Sequence, residues 1–431
     1  MENRLIIFED DKYEQFYPLT HLRPVYFLRP GIRSLSEILI DSFPDYQPIL
    51  ICRPELEGIV SESTGVPVNK FENKKFDEII FINGRMKLDP NFAQALKSAN
   101  KNAFLLSGDE LAAIKIMGGL TPEESAALAA GELGEFARKI RQRSEVLDVK
   151  VKYYNYLWEL VDVIGESIYN DFNHLRKQTA GRIAEVQKSL NGRLSSDLYP
   201  GVYFRRSEEI YLAADAQILP GAVLDAEKGP IFIGTGVKVE PNAYIMGPVY
   251  VGKESIIVGG RISDSSIGPV SRVGGELEQS IIQGYSNKWH AGYIGHSYIG
   301  EWVNLGAMTT NSDLKNNYGS VRVSVNGKEI DTGMMKVGSF IGDYTRTAIG
   351  TLLNTGINVG VCCNLLGDGL INEKELNSFT WYSSGEKIEY KLPKALETIE
   401  RVMGRRDKKL SDFLRRRLSE LTRGKAKISL E

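Results

Sequence analysis

Three short apolar runs mark the first third of the chain: Leu5-Ile6-Ile7-Phe8, Pro48-Ile49-Leu50-Ile51-Cys52 and Glu78-Ile79-Ile80-Phe81-Ile82. They are continuous rather than alternating, the pattern of strands buried on both faces of a parallel sheet. Between the first two, Ser34-Leu35-Ser36-Glu37 forms a capping box at the head of a helical run. Thr121-Pro122-Glu123-Glu124 starts another helix, with Pro at the first helical position and carboxylates where the helix dipole favours them. Strands alternating with helices predict an α/β domain built on a parallel sheet. Leu157, Leu160, Val161, Ile164 and Ile168 recur at helical spacing and predict a helix over residues 153–175. The polar stretch from Lys177 to Pro200 has no such pattern and reads as a linker.

After Tyr211 the period changes. Ile233, Val239, Ile245, Val251 and Ile257 are six apart, and four residues after the first four of these stand Val237, Ala243, Val249 and Ser255. A second run, Ile341, Thr347, Leu353, Val359 and Leu365, keeps the same step. Neither the helical nor the strand period gives six. A parallel β-helix does, because each six-residue unit makes one flat side of a triangular coil, with the aliphatic residue on the axis and the small one at the corner. Glycine-rich antiparallel hairpins would instead show two-residue turns every 8–12 residues, and these are missing. The repeat breaks near 226–231, 279–293 and 311–336, where insertions are expected to form surface loops. Residues 387–421 return to helical spacing (Leu396, Ile399, Met403, Leu410, Phe413, Leu414, Leu418, Leu421). The predicted organisation is an α/β domain over 1–176, a linker over 177–208, a left-handed parallel β-helix of hexapeptide repeats over 209–380, and a helical tail over 381–431.

Composition narrows the function classes. The 431 residues carry a net charge of -2, which gives no general attraction to nucleic acid or anionic membrane. The tail holds a local surplus of six positive charges over 386–431, read as a solvated helix closing the solenoid. Three cysteines, two of them adjacent, are no disulfide framework and fit a reducing compartment. With no spanning run and no basic-then-apolar leader at the start, a cytoplasmic, membrane-free protein is expected.

Candidate chemistry gathers in the second break. Lys288-Trp289-His290-Ala291-Gly292-Tyr293 is followed by His296 and by Asn304-Leu305-Gly306-Ala307, so two of the four histidines fall within a few residues. Imidazole suits a base that takes a proton from a sugar amine during acyl transfer from a thioester, because its pKa lies near operating pH. An amide such as Asn304 can orient the amine. A backbone N–H such as that of Ala307 can bond the thioester oxygen as charge develops. The alternative is an ordinary surface-loop histidine. A zinc site is disfavoured, because His21 and His174 lie outside the repeat and leave no third ligand in it; no metal ligands are assigned.

The stretch HAGYIGHSYIGEWVNLGAMTTNSDLKNNYG resembles the acetyltransferase half of the bifunctional N-acetylglucosamine-1-phosphate uridylyltransferase / glucosamine-1-phosphate N-acetyltransferase family, on His290, Tyr293, Asn304 to Ala307, and Asn317-Tyr318. The segment VRVSVNGKEIDTGMMKVGSFIGD is similar to the corresponding loop of archaeal bifunctional sugar-1-phosphate nucleotidylyltransferases, with Lys336 matching a lysine there. The resemblance implies His290 as base, Tyr293, Asn304, Lys288, Asn317, Tyr318 and Lys336 around the sugar, Ala307 at acetyl-CoA, and a homotrimer with acyl-CoA between neighbouring coils. Arg261 and Arg272 are further basic candidates for the sugar phosphate.

Near the N-terminus, Phe16-Tyr17-Pro18-Leu19-Thr20, then Arg23-Pro24 and Gly31-Ile32, resembles the opening of sugar nucleotidyltransferases. Two departures stand out. The loop after the first strand reads Phe8-Glu9-Asp10-Asp11-Lys12-Tyr13, without the family's glycines, and Asn83-Gly84-Arg85 stands where the family has a metal-binding Gly-Asp. Thr20, Arg23, Arg29 and Arg33 remain as candidate nucleotide or phosphate contacts, with Mg2+ expected if the domain is active.

The implied function is a bifunctional transferase that N-acetylates glucosamine 1-phosphate or a similar amino-sugar phosphate and couples the product to a nucleotide, as in UDP-N-acetylglucosamine formation. Its ligands are then small sugar phosphates and nucleotides. Two alternatives are a single-activity sugar-1-phosphate nucleotidyltransferase whose β-helix only drives oligomerisation, and a non-catalytic regulator that binds a nucleotide sugar.

Overall fold

The computed structural model describes residues 3–71, 76–178, 199–367 and 369–428. They fall into two compact units. The first comprises Met1–Tyr13, Leu22–Leu28 and Arg33–Asn155; the second comprises Glu14–His21, Arg29–Ile32 and Tyr156–Glu431.

The first unit is a six-stranded sheet with flanking helices. Its three apolar runs are Asn3–Phe8, Gln47–Ile51 and Glu78–Asn83, all parallel, with Asn3–Phe8 in the middle. Both predicted capping boxes form, at Ser34 with Glu37 and at Thr121 with Glu124. The expectation of a parallel sheet is corrected by the other edge. Glu110–Met117 runs antiparallel to Glu78–Asn83, and Ala103–Ser107 runs antiparallel to Glu110–Met117. The cause is local: the tight turn at Gly108, with φ +61°, folds the chain straight back as a hairpin.

The second unit is a parallel β-solenoid. Its first-run anchors pair across coils, Ile233 with Val251 and Val239 with Ile257. All five of these anchors, Ile233 to Ile257, are fully buried. One apolar cluster runs along the axis from Val202 to Tyr382. Tyr203–Arg205 already pairs with Val223–Asp225, so the solenoid starts before the expected residue 209. Of the predicted linker, residues 179–198 lie outside the described residues.

The helices Leu157–Asp162 and Ile164–Gln178, assigned from the sequence to the first domain, belong to the second unit. They pack on the coils, with the Trp158 and Phe340 rings 6.0 Å apart. In the last coil, Thr380–Ser383 pairs in parallel with Asn364–Leu366 and folds back on Glu386–Glu389 as an antiparallel hairpin. The helices Leu392–Gly404 and Asp412–Ile428 follow.

The three expected breaks behave differently. At 279–293 the solenoid continues, because Val273 pairs with Lys288 in the next coil. Lys288 occupies an axial anchor position. Its stem fills the apolar slot, and its ammonium donates to the carbonyls of Gly274 (2.8 Å), Gly292 (2.7 Å) and His290 (3.3 Å). At the first, residues 226–230 loop out opposite residues 247–248 of the next coil, and the third leaves the coil as the antiparallel hairpin Arg322–Val325 / Lys328–Asp331.

Candidate functional site

The solenoid site is built by register. The bridge between Asn287 and Asn304 sets the next coil seventeen residues on, so His290 stacks against Ala307 at the same corner. The Met308 N–H donates to the Ala291 carbonyl at 2.8 Å and ties the two turns together. His290 is exposed, and its ring has no hydrogen bond among the described residues. The Ala307 carbonyl accepts from Gly350, while its N–H has no partner among the described residues. An imidazole open to solvent and an unpaired backbone donor therefore sit on adjacent coils.

Lys288 fixes this corner from inside. Its buried ammonium grips the His290 and Gly292 carbonyls, and burial holds its pKa down to about 8. All three of its hydrogens are spent on backbone. This corrects the expectation of Lys288 as a sugar ligand: it positions the loop instead.

One face farther along the coil, two side chains converge on Asp313. Oδ2 accepts from the Tyr293 hydroxyl at 2.7 Å and meets His296 Nδ1 at 2.7 Å. His296 sits at a corner in the left-handed region, with φ +50°. Burial raises the Asp313 carboxyl, but the hydrogen bonds from His296 and Tyr293 outweigh it and hold it below the usual carboxylate range, with Lys336 adding to the effect. Burial, then the bond to Asp313, pushes the Tyr293 phenol up. Glu278 lies within 3.4 Å of the same hydroxyl. The sequence reading missed Asp313 and Glu278 and treated His296 only as a zinc candidate. The signal was available in the coil length, since His296 and Asp313 are one seventeen-residue turn apart.

The remaining candidates are scattered around these two clusters. Asn304 is exposed and accepts from Asn287 at 2.8 Å. Asn317 caps its own turn through the Gly319 N–H, and Tyr318 is 67% exposed. Lys336 is exposed and reaches Asp313 by charge alone. Arg261 faces Glu276 at 3.5 Å, and Arg272 donates to the Glu254 carbonyl at 3.1 Å.

In the first unit, a cleft of about 940 Å³ has an apolar wall that includes Phe8, Phe81 and Phe136, and an acidic rim. Arg85 lies beneath it, fully buried. Its guanidinium binds Asp10 at 2.7 Å, Glu110, and the Asn155 side chain at 3.0 Å, and it lies 4.4 Å from the Tyr153 ring centre. Lys12 pairs with the other Glu110 oxygen. Glu9 is held by Arg53 at 3.0 Å and by the Val25 N–H at 2.9 Å. Burial outweighs Arg53 and raises the Glu9 carboxyl to about 7.

These carboxylates do not fit a divalent cation. Asp10 and Glu110 already answer Arg85 and Lys12, and the described residues hold no group of three or more His, Cys, Asp or Glu placed to bind a metal.

The four expected phosphate contacts do not come together in this cleft. Thr20 is fully buried in the second unit. Arg29 donates to the Ile32 carbonyl and lies 5.6 Å from the Tyr250 ring. Arg33 pairs with Asp41 at 2.8 Å. Arg23 is buried and lies outside the cleft lining.

Residues 5–180 match the family model described as sugar nucleotidyl transferase. The chain is 35% identical over 97 residues to the bifunctional sugar-1-phosphate nucleotidylyltransferase/acetyltransferase of Sulfurisphaera tokodaii, a match covering 22% of this chain and 24% of that one. It is 30% identical over 118 residues to the bifunctional protein GlmU of Methanocaldococcus jannaschii, covering 27% and 28%. With the bifunctional protein GlmU of Carboxydothermus hydrogenoformans it shares 28% identity over 191 residues, 39% of each chain. The matched stretches thus span between a quarter and two-fifths of these relatives. No described helix is long and apolar enough to cross a membrane.

Proposed function

We propose that the chain is a bifunctional transferase of nucleotide-sugar synthesis. The solenoid transfers an acetyl group from acetyl-CoA to the amine of glucosamine 1-phosphate or a similar amino-sugar phosphate. The first unit couples the sugar 1-phosphate to a nucleotide, giving a product such as UDP-N-acetylglucosamine. The observation that carries the acyl step is the register that sets the exposed His290 one coil from the Ala307 N–H, which has no partner among the described residues. The free amine attacks the thioester carbon. The N–C bond forms, the C–S bond breaks, and His290 takes the amine proton and passes it to the departing sulfur, which leaves as thiol. The Ala307 N–H bonds the oxygen while it carries charge. Tyr293, anchored by Asp313, and Asn304 line the sugar.

In the nucleotidyl step, a phosphate oxygen of the sugar 1-phosphate attacks the α-phosphorus and pyrophosphate leaves. A second reading is favoured by the buried Arg85 beneath the cleft: the first unit binds a nucleotide sugar without turning it over. The assembly in this reading is a homotrimer acting in the cytoplasm on small molecules.

Thiol release from acetyl-CoA with glucosamine 1-phosphate, and pyrophosphate release from UTP with N-acetylglucosamine 1-phosphate, test the two steps separately. Absence of the first, with the second intact, leaves the solenoid a structural element. Absence of the second, with stabilisation by UDP-N-acetylglucosamine in a thermal scan, selects the binding-only reading for the first unit.

A further inference from the structure

The cleft of the first unit has its own cation system. Asp10 Oδ2 accepts from Arg85 Nε at 2.7 Å and from Asn83 Nδ2 at 2.8 Å, while Oδ1 accepts from the Lys12 N–H at 3.3 Å. The two oxygens of Glu110 are divided between Lys12 and Arg85. Glu9 spends one oxygen on the Val25 N–H and the other on Arg53. Every oxygen of these three carboxylates therefore already has a donor. Two positive side chains balance Asp10 and Glu110 along the cleft, and a third balances Glu9.

Arg85 is not a mobile surface partner. It is fully buried, held by Asn155 and the Tyr154 carbonyl at 3.3 Å, and covered by the Tyr153 ring. Its backbone N–H donates to Asn83 at 3.1 Å, and Asn83 in turn grips Asp10. A divalent ion entering here would have to displace a fixed guanidinium from its carboxylates and leave it buried without a counter-charge, which a protein interior strongly opposes. Asp11 and Asp109, on the exposed rim, are the lining carboxylates without an ion pair among the described residues.

We propose that this cleft takes its nucleotide ligand without a divalent cation, Arg85 and Lys12 supplying the positive charge that a metal ion would otherwise bring to Asp10 and Glu110. The inference rests on the nucleotide-binding reading of the first unit for its ligand, but not for its metal test.

The full chain is titrated with Mn2+, bound ion being read by electron paramagnetic resonance, and UTP binding is measured by calorimetry in EDTA and in Mg2+. The expected result is no stoichiometric Mn2+ on the protein alone, and a UTP affinity that changes less than about twofold between the two buffers. Arg85→Ala, which uncovers Asp10 and Glu110, is expected to gain Mn2+ binding. If that variant does not fold, Lys12→Ala, which frees one Glu110 oxygen at the rim, serves in its place. One Mn2+ per wild-type chain, lost in Asp11→Asn or Asp109→Asn, overturns the proposal, as does a tenfold or greater loss of UTP affinity in EDTA that Mg2+ restores. Failure of UTP to bind in either buffer sinks the nucleotidyl reading instead, and the Mn2+ titration still decides the metal question.

Discussion

Removing the His290 imidazole takes away no packing, since the ring is exposed and makes no hydrogen bond among the described residues. His290→Ala is therefore expected to cut thiol release by about 10²- to 10⁴-fold with the melting temperature unmoved. A fall in both would mean that the residue is structural. Asp313 behaves oppositely, because it is buried and bonded to both Tyr293 and His296. In Asp313→Asn one partner loses its acceptor and the charge disappears. The cost is expected at about 1–3 kcal/mol in a urea titration, accompanied by a rise in KM for the amino sugar as Tyr293 loosens. Glu9 gives a pH signature. Its folded carboxyl titrates at about 7 against 4.5 for the ordinary group, so between those values the folded chain keeps a proton that the unfolded chain has released. Stability from this group is thus present below the ordinary value and is lost as the pH rises through the window. Glu9→Gln should flatten that loss, which urea midpoints at about pH 5 and about pH 8 would register.

At the scale of elements, regularity decided what could be read in advance. The anchors from Ile233 to Ile257 and from Ile341 to Leu365 follow a strict six-residue step and lie on the axis of one solenoid. Between the two runs, several faces shorten to four or five residues and a lysine replaces an aliphatic anchor. The apparent gap at 279–293 is therefore a chemical substitution inside an unbroken coil, with Lys288 paired to Val273 and its charge spread over three carbonyls. Linear periodicity cannot register a buried ammonium. The same limit hid Asp313: its partners are defined by coil-to-coil register, whereas His290 and Ala307 stand out as residue types suited to the chemistry. Lys288 also carries a prediction. Burial depresses its pKa from 10.5 to about 8, so the unfolded chain binds more protons between those values and stability rises with pH across them. Lys288→Met should abolish that rise in denaturant midpoints. Persistence of the rise would place the titration elsewhere.

For the whole molecule, the sequence marked two architectures and counted the helices of residues 157–178 with the first, whereas contact groups them with the coils. The amphipathic pattern of residues 157–178 says that one face is buried, not which partner buries it, and contact with the coils assigns it to the solenoid unit. The same coils carry an exposed apolar stripe suited to assembly. On one face Thr310, Leu352 and Leu370 stack in register, and the two leucines are 40% and 48% exposed. Met308 and Ile349, 54% and 76% exposed, flank the Ala307–Gly350 contact at the His290 corner. Apolar side chains repeated along a rigid face are poorly placed in water and suit burial against an identical face. If a neighbouring subunit completes the acyl site there, Leu352→Asp combined with Leu370→Asp should convert a trimer into a monomer by light scattering. It should also abolish thiol release while pyrophosphate release persists. A monomer that still releases thiol at the wild-type rate would show that one chain holds the whole acyl site. A wild-type protein that is itself monomeric would remove the reason for the exposed leucines.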